Sequence, residues 1–321
     1  MLDMVFAEIR DDLKIVEEEL VSVVQAPDPF ITETATHLIN AGGKRLRPAF
    51  SLLGAKFYHY DIKKVLALAV ALELIHMASL VHDDVVDSAV TRRGIPTVKS
   101  MWGNRISTHL GDYIFGKSLI LISTYDNAII PRVLSDTSVK MCEGEIQQIS
   151  TVLDTSQSIK DYFYRINRKT ALLIAASCQL GAVACGAPVS IHGPLRRYGH
   201  NIGMAFQITD DVLDLVADQQ QLGKPIGSDL HQGIITLPVI HALERCSFKE
   251  RLREIVFKEV KTEQEVQEAV ELIVSCGGVE YANKVALRYI QKAKEELSLL
   301  PDIPARDTLF TIADFISIRK F

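Results

Sequence analysis

A chain of 321 residues with 48% hydrophobic and 23% charged residues has an ordinary soluble globular composition, enough for one large domain or two smaller ones. Its net charge of −5, with no basic tail or long basic run, argues against nucleic-acid binding, so any anion site must rest on a local cluster. The 5 cysteines, an odd number without zinc or redox spacing, fit a reduced, cytoplasmic compartment with mostly buried thiols.

The periodicity is helical from the start, and acidic residues enter MLDMVFAEIRDDLK too early for a signal peptide. The first predicted helices are 2–24, 31–40, 47–58 and 62–88, broken at Pro27/Pro29 and Gly42-Gly43. Asp11-Asp12 and Glu17-Glu18-Glu19 on the first of them read as a solvated face. After Gly94/Pro96 come 103–126, 129–150 and 158–186. The last contains an uncharged stretch, Thr170 to Pro188, whose Ala, Gly, Ser, Cys and Gln179 make it a helix buried by other helices, not a membrane span. Helices 195–219, 233–244, 249–258, 263–275, 278–299 and 304–320 complete the chain. No alternating run is bounded by hairpin turns, and no linker or low-complexity tract intervenes. The reading is one all-α domain over 1–321 without a transmembrane segment.

Two acidic clusters carry the chemistry: Asp83-Asp84-Val85-Val86-Asp87 and Asp210-Asp211-Val212-Leu213-Asp214. Each puts carboxylates at i and i+4, one turn apart on the same helix face. LALAVALELIHMASLV precedes the first and GMAFQI the second, so both helices are largely buried. Paired carboxylates there need cations, and oxygen donors without His or Cys partners favour Mg²⁺ shared with substrate phosphates. The matching basic groups are Lys44, Arg45 and Arg47 on the glycine turn GGKRLRP, then Arg92-Arg93, Arg168-Lys169-Thr170 and Gly223-Lys224-Pro225. GGK is no Walker loop, because the upstream glycine and a preceding strand are missing. His82-Asp83 lacks the further histidines that an HD-type phosphohydrolase wants, His59 and His76 being poorly placed. His76 sits two turns before Asp83, where it can face a ligand.

The ordered set GGKRLRP, ELIHMASLVHDDVVD, RRG, RKT, FQITDDVLD and LGKPIGSD resembles the trans-type isoprenyl (polyprenyl) diphosphate synthases from Gly42 to Pro238. Within them it looks like the catalytic component of bacterial heptaprenyl or hexaprenyl diphosphate synthases. The resemblance implies the isoprenoid-synthase fold, antiparallel helices around a deep cavity. It also implies that an allylic diphosphate ionises and isopentenyl diphosphate attacks the cation. Asp83, Asp87 and Asp210 then resemble Mg²⁺ ligands, supported by Asp84, Asp211 and Asp214, with three Mg²⁺ per substrate-bound site. Lys44, Arg47, His76 and Arg93 resemble the isopentenyl diphosphate site. Arg92, Lys169, Thr170, Gln207 and Lys224 resemble the allylic diphosphate site. Ile234 departs from the pattern of relatives that carry Lys there, and Arg319-Lys320 end a C-terminus whose part in closing the site is open.

Ala78 and Ser79, one turn before Asp83, are small where short-chain relatives have aromatics. On that face Ile75 and Leu72 lie roughly 12 and 17 Å from Asp83, at ~1.5 Å per residue. The expectation is a C30–C35 all-trans product, heptaprenyl diphosphate for menaquinone, made from farnesyl diphosphate. The resemblance further implies a homodimer or a heteromer with a small regulatory component, and a product that associates transiently with membranes. A terpene cyclase would have no use for Lys44, Arg47 and Arg93, and a non-catalytic subunit would not keep both acidic clusters.

Overall fold

The computed structural model describes residues 5–216 and 226–318. By its internal contacts the chain divides into two units. Unit 1 comprises Met1–Ser138, Ala176–Arg196 and Leu299–Leu309, and unit 2 comprises Val139–Ala175, Arg197–Ser298 and Phe310–Phe321.

The chain opens with a 3₁₀ turn, Ala7–Ile9, followed by α1 (Arg10–Val23), α2 (Pro29–Asn40), α3 (Leu46–Ala55) and α4 (Ile62–Val86). Asp28 caps α2 by accepting from Phe30 N at 2.9 Å, with Pro29 pre-set for the first turn. Asp61 caps α4 through Lys63 N at 3.0 Å. Leu68, Leu72, Leu74 and Met77 of α4 are buried on several sides of the helix, which explains the absence of a polar stripe over that stretch. Among the described residues this is also the one helix that length and composition alone would allow to cross a membrane, but 67% of its most apolar window is buried within the protein. The uncharged stretch after Thr170 is the buried helix that its composition implied. There α8 has only 13 residues, and Leu173, Ala176, Leu180 and Val183 are buried.

Two short strands, β1 (Thr91–Arg92) and β2 (Ile95–Pro96), pair antiparallel after α4. No hairpin was expected, because a two-residue ladder is too short for alternation to register. Its signal is the turn: Arg93 and Gly94 have φ of 54° and 80°, the left-handed pair that tight hairpins demand. The helix α5 (Val98–Ile122) starts five residues before the predicted 103 and runs through a kink at Gly103. Thr97 caps it by accepting from Ser100 N at 3.1 Å.

The remaining helices are α6 (Ile129–Ser150), α7 (Ile159–Ile166), α8 (Leu172–Ala184), α9 (Val189–Val216), α10 (Ser228–His231), α11 (Leu237–Arg245), α12 (Lys249–Val256), α13 (Glu263–Ser275), α14 (Gly278–Leu297) and α15 (Pro304–Ile318). A π-turn, Asn167–Ala171, joins α7 to α8 inside what the sequence suggested was one helix. Pro194 lies inside α9 instead of preceding it. Within unit 1, α3 and α8 touch backbone to backbone: a Cβ on Gly181 would stand 1.9 Å from Ser51 O, and one on Gly54 2.3 Å from Cys178 O. The core of unit 2 gathers Tyr162, Ile166, Met204, Ile208, Val212 and Leu237 with the inner faces of α12 to α14.

The expectation of free thiols needs one correction. Cys178 and Cys185 are buried and Cys142 is exposed, but Cys246 and Cys276 form a disulfide. Their 30-residue separation hid a pairing made by the ends of α11 and α13.

Candidate active site

In unit 1 the second half of α4 presents His76 and the outer residues of the first acidic cluster along one accessible face. His76, Ser79, Leu80 and Asp83 are partly exposed and Asp87 is open, while Leu72, Ile75 and Ala78 are buried. Helical spacing lines the exposed set along one side. The hydroxyl of Ser79 turns back to donate to His76 O at 2.8 Å.

Asp84 lies 3% exposed on the other side of the cluster. One of its oxygens accepts from Arg92 Nε at 2.8 Å and Nη2 at 2.7 Å. The hairpin turn thus delivers Arg92 onto α4, and a charge-assisted pair fixes it. Arg93, the next residue, lies over Gly43, where a Cβ would stand 2.6 Å from its Nη1. The turn backbone thus packs against the Arg93 guanidinium, and Gly43 has φ of 150°, a conformation that favours glycine.

That turn leads into α3 through Arg45, a non-glycine residue at φ of 46°. Its guanidinium is buried and donates to Glu17 of α1, to Glu73 Oε1 at 3.2 Å, to Ile39 O at 3.1 Å and to Gly42 O at 3.4 Å. Burial alone would lower its pKa, but the hydrogen bond to Glu17 and the charges of Glu73 and Glu17 raise it above the usual value. His76 sits in the opposite situation. Burial, then the charges of Arg47, Arg93, Arg92 and Arg45, hold its imidazole well below the usual value, so it is neutral at physiological pH. A neutral ring can exchange hydrogen bonds with a ligand without adding charge.

In unit 2 the RKT triplet occupies the π-turn, a wide turn often found at functional sites. Two glycines let neighbouring helices close on it. A Cβ on Gly144 of α6 would meet Arg168 Cβ at 2.8 Å, and one on Gly203 of α9 would meet Ala171 Cα at 2.5 Å. Lys169 Nζ is paired with Glu145 at 2.6 Å, and Arg168 pairs with Glu143 while stacking on Tyr164. From Thr170 a hydrogen-bond chain runs inward. Its hydroxyl donates to Gln207 Oε1 at 2.6 Å, and Gln207 Nε2 donates to Asp211 Oδ1 at 2.8 Å. Asp211 Oδ2 accepts from the fully buried Tyr162 hydroxyl at 2.7 Å. Burial pushes the Asp211 carboxyl up to about 6 despite these donors.

Asp210 and Asp214 are the more accessible members of this cluster, and Asp214 Oδ2 also accepts from Asp229 N at 3.0 Å. Arg165, 4% exposed, donates to Ile235 O at 2.6 Å and Gln157 Oε1 at 2.7 Å, holding the segment that carries Ile234. Lys224, Arg319 and Lys320 lie outside the described residues.

Asp83 with Asp87, and Asp210 with Asp214, are pairs of hard oxygen donors. Among the described residues no three His, Cys, Asp or Glu side chains converge as a self-sufficient metal cage. Two carboxylates with room for phosphate and water is the donor set that Mg²⁺ takes. The residues fit such an ion, which on binding neutralises diphosphate charge as a Lewis acid.

The sequence model of the polyprenyl synthetase family matches residues 28–273. The chain belongs to the polyprenyl synthetase family. Its relatives include the heptaprenyl diphosphate synthase component 2 of Bacillus subtilis, 44% identical over 99% of this chain and 91% of that protein. The protein of the same name from Geobacillus stearothermophilus is 46% identical over 100% of this chain and 99% of that one. A polyprenyl synthase of Caulobacter crescentus, solved with calcium and isoprenyl diphosphate, superposes with a TM-score of 0.94 at 34% identity, covering 100% of this chain and 98% of that one. This polyprenyl synthetase is therefore a metal-dependent trans-prenyltransferase, a prenyl diphosphate synthase, with the all-α isoprenoid-synthase fold.

Sequence reasoning missed the residues underneath the site. Glu73 had a signal, as the one acidic residue within the apolar run VLALAVALELIHMASLV, where a buried charge demands a partner. Glu17 was assigned to a solvated acidic face, yet it grips Arg45, and Asp12 of the same stretch pairs with Lys56. Tyr162 and Glu145 carry no mark in the sequence that separates them from ordinary helix residues.

Proposed function

We propose that this polyprenyl synthetase condenses farnesyl diphosphate with successive isopentenyl diphosphates to an all-trans C30–C35 product, heptaprenyl diphosphate, destined for menaquinone. The names of the Bacillus and Geobacillus relatives support the product class. The one observation that carries the site reading is the stripe on α4. His76, Ser79, Asp83 and Asp87 are accessible along one face, and Arg92 is held beside it. The family match runs from 28 to 273 through residues of both units, which supports a single synthetase domain over 1–321.

In this reading Lys44, Arg47, neutral His76 and Arg93 hold isopentenyl diphosphate. Arg92, Lys169, Thr170, Gln207 and Lys224 hold the allylic diphosphate. Asp83, Asp87 and Asp210 are the ligands of three Mg²⁺, with Asp214 beside them, while Asp84 and Asp211 support the set by fixing Arg92 and Gln207. Breakage of the allylic C–O bond leaves its electron pair on diphosphate, where the Arg and Lys side chains stabilise the developing charge. The double bond of isopentenyl diphosphate then attacks the cation, and the released diphosphate takes the proton lost. No side chain need act as nucleophile or dedicated base.

Ser79 and Ala78 leave room beside Asp83, and Ile75 and Leu72 set the next levels of the chain-length path. The word "component" in the relatives' names supports a small second subunit, a homodimer being the alternative assembly. We place the enzyme in the cytoplasm, its product passing to the membrane. The test is to size the products formed from Mg²⁺, farnesyl diphosphate and labelled isopentenyl diphosphate. Chains of C30–C35 are expected, made slowly by the chain alone. Only C15 or C20 products, with or without a second component, reject the length, and full-rate synthesis by the chain alone rejects the partner.

A further inference from the structure

We infer that Arg45 is a positioning residue for diphosphate capture by the glycine turn, acting through Glu17 and Glu73 without touching the ligand. The inference rests on the isopentenyl diphosphate reading of Lys44, Arg47, His76 and Arg93.

A guanidinium has five N–H donors in a fixed fork. In Arg45 they meet five acceptors: both oxygens of Glu17, Glu73 Oε1, Ile39 O and Gly42 O. At 6% exposure and with every donor engaged, the side chain has nothing left to offer a substrate. What it can do is fix the turn. Ile39 O belongs to the last turn of α2, Gly42 O to the glycine turn, Glu17 to α1, and Glu73 lies one helical turn before His76 on α4. One planar group therefore ties together the elements that carry Lys44 and Arg47 on one side and His76 on the other. Gly43 adds the fourth residue, because its backbone lies against the Arg93 guanidinium.

The backbone adds an independent sign. Arg45 adopts φ of 46°, a left-handed conformation that disfavours branched or long side chains, and such strain persists where the surroundings over-determine it. Lys44 and Arg47 flank this residue, so relaxation at Arg45 swings both cations. Lysine cannot substitute: its ammonium has three donors and no fork, and a buried carboxylate such as Glu73 would lose its partner.

The test is the steady-state kinetics of Arg45→Lys, Glu17→Ala and Lys44→Ala, varying each diphosphate in turn. Lys44→Ala tests the underlying site reading alone. It should raise KM for isopentenyl diphosphate and not for the allylic substrate; the reverse rejects that reading, whatever Arg45 does. With that established, Arg45→Lys should raise KM for isopentenyl diphosphate about tenfold, as expected of a misplaced binding group, with KM for the allylic diphosphate within twofold. Glu17→Ala, at a half-exposed side chain, keeps the test available if Arg45→Lys does not fold, and should move the same constant about threefold. A role in stability only would lower Tm and leave both KM values unchanged. That result, or a rise in both constants together, overturns the inference.

Discussion

The acidic clusters of α4 and α9 are spelled almost alike, Asp-Asp-Val-Val-Asp and Asp-Asp-Val-Leu-Asp, yet their second carboxylates meet different partners. Asp84 is held by the cation of Arg92, brought onto the helix by a two-residue hairpin. Asp211 is held by neutral donors, the Tyr162 hydroxyl and the Gln207 amide, inside the core of unit 2. In both clusters the buried second residue fixes a side chain proposed for the allylic diphosphate, and the first and last residues stay more accessible. We propose that each cluster divides into outer carboxylates that hold the ion and an inner one that anchors the scaffold.

The largest effects should come from the outer positions. Asp83→Ala and Asp210→Ala should each lower kcat by about a thousandfold, the scale of losing a group that stabilises transition-state charge. Near-normal turnover in either would break the division.

A smaller, asymmetric effect is expected at the inner positions. Asp84→Asn takes the counter-charge from Arg92 and should raise KM for the allylic diphosphate about tenfold, since charged hydrogen bonds contribute roughly 1.5–3 kcal/mol. In Asp211→Asn the new amide can still accept from Tyr162 but opposes the Gln207 NH₂. A loss of about threefold is expected there, because neutral bonds contribute roughly 1 kcal/mol. Equal losses at the two sites would show that the partners do not matter.

The smallest signal is in stability against pH, read as Tm of the metal-free protein. The depressed pKa of His76 means that the unfolded chain takes up a proton near pH 6.5 before the folded one does. Its stabilising contribution is present above that value and is lost as pH falls, by at most about 1.4 kcal/mol per pH unit. Asp211 has the opposite sign. Its carboxyl is raised to about 6, so its contribution is present below the ordinary carboxylate range and is lost as pH rises towards 6. Relative to His76→Gln, the wild type should lose stability from pH 7 to pH 5; relative to Asp211→Asn, it should gain. The same slope for both comparisons would contradict the two environments.

The helical class, the buried clusters and their matching cations were legible in the sequence because each is a matter of spacing and charge. Motif order alone puts forward Asp83, Asp87, Lys44 and Arg93, whose roles stay proposals. What sits beneath them was not legible. Asp211 accepts from Tyr162 and Lys169 donates to Glu145, and only packing brings those side chains together. In the acidic stretch of α1, Asp11 and Glu18 are exposed as expected but Glu17 meets Arg45, and nothing local distinguishes it from Glu18. The hairpin at Arg93-Gly94 was missed because its signal is a pair of left-handed residues, not a run of alternating ones.

The most direct test of the division is a Mg²⁺ titration of diphosphate release, run side by side on Asp83→Ala and Asp84→Asn. The account predicts that Asp84→Asn keeps the wild-type Mg²⁺ midpoint within about twofold while needing more allylic diphosphate, and that Asp83→Ala moves the midpoint about tenfold or more. A Mg²⁺ midpoint raised equally in both variants would make Asp84 a metal ligand and contradict it.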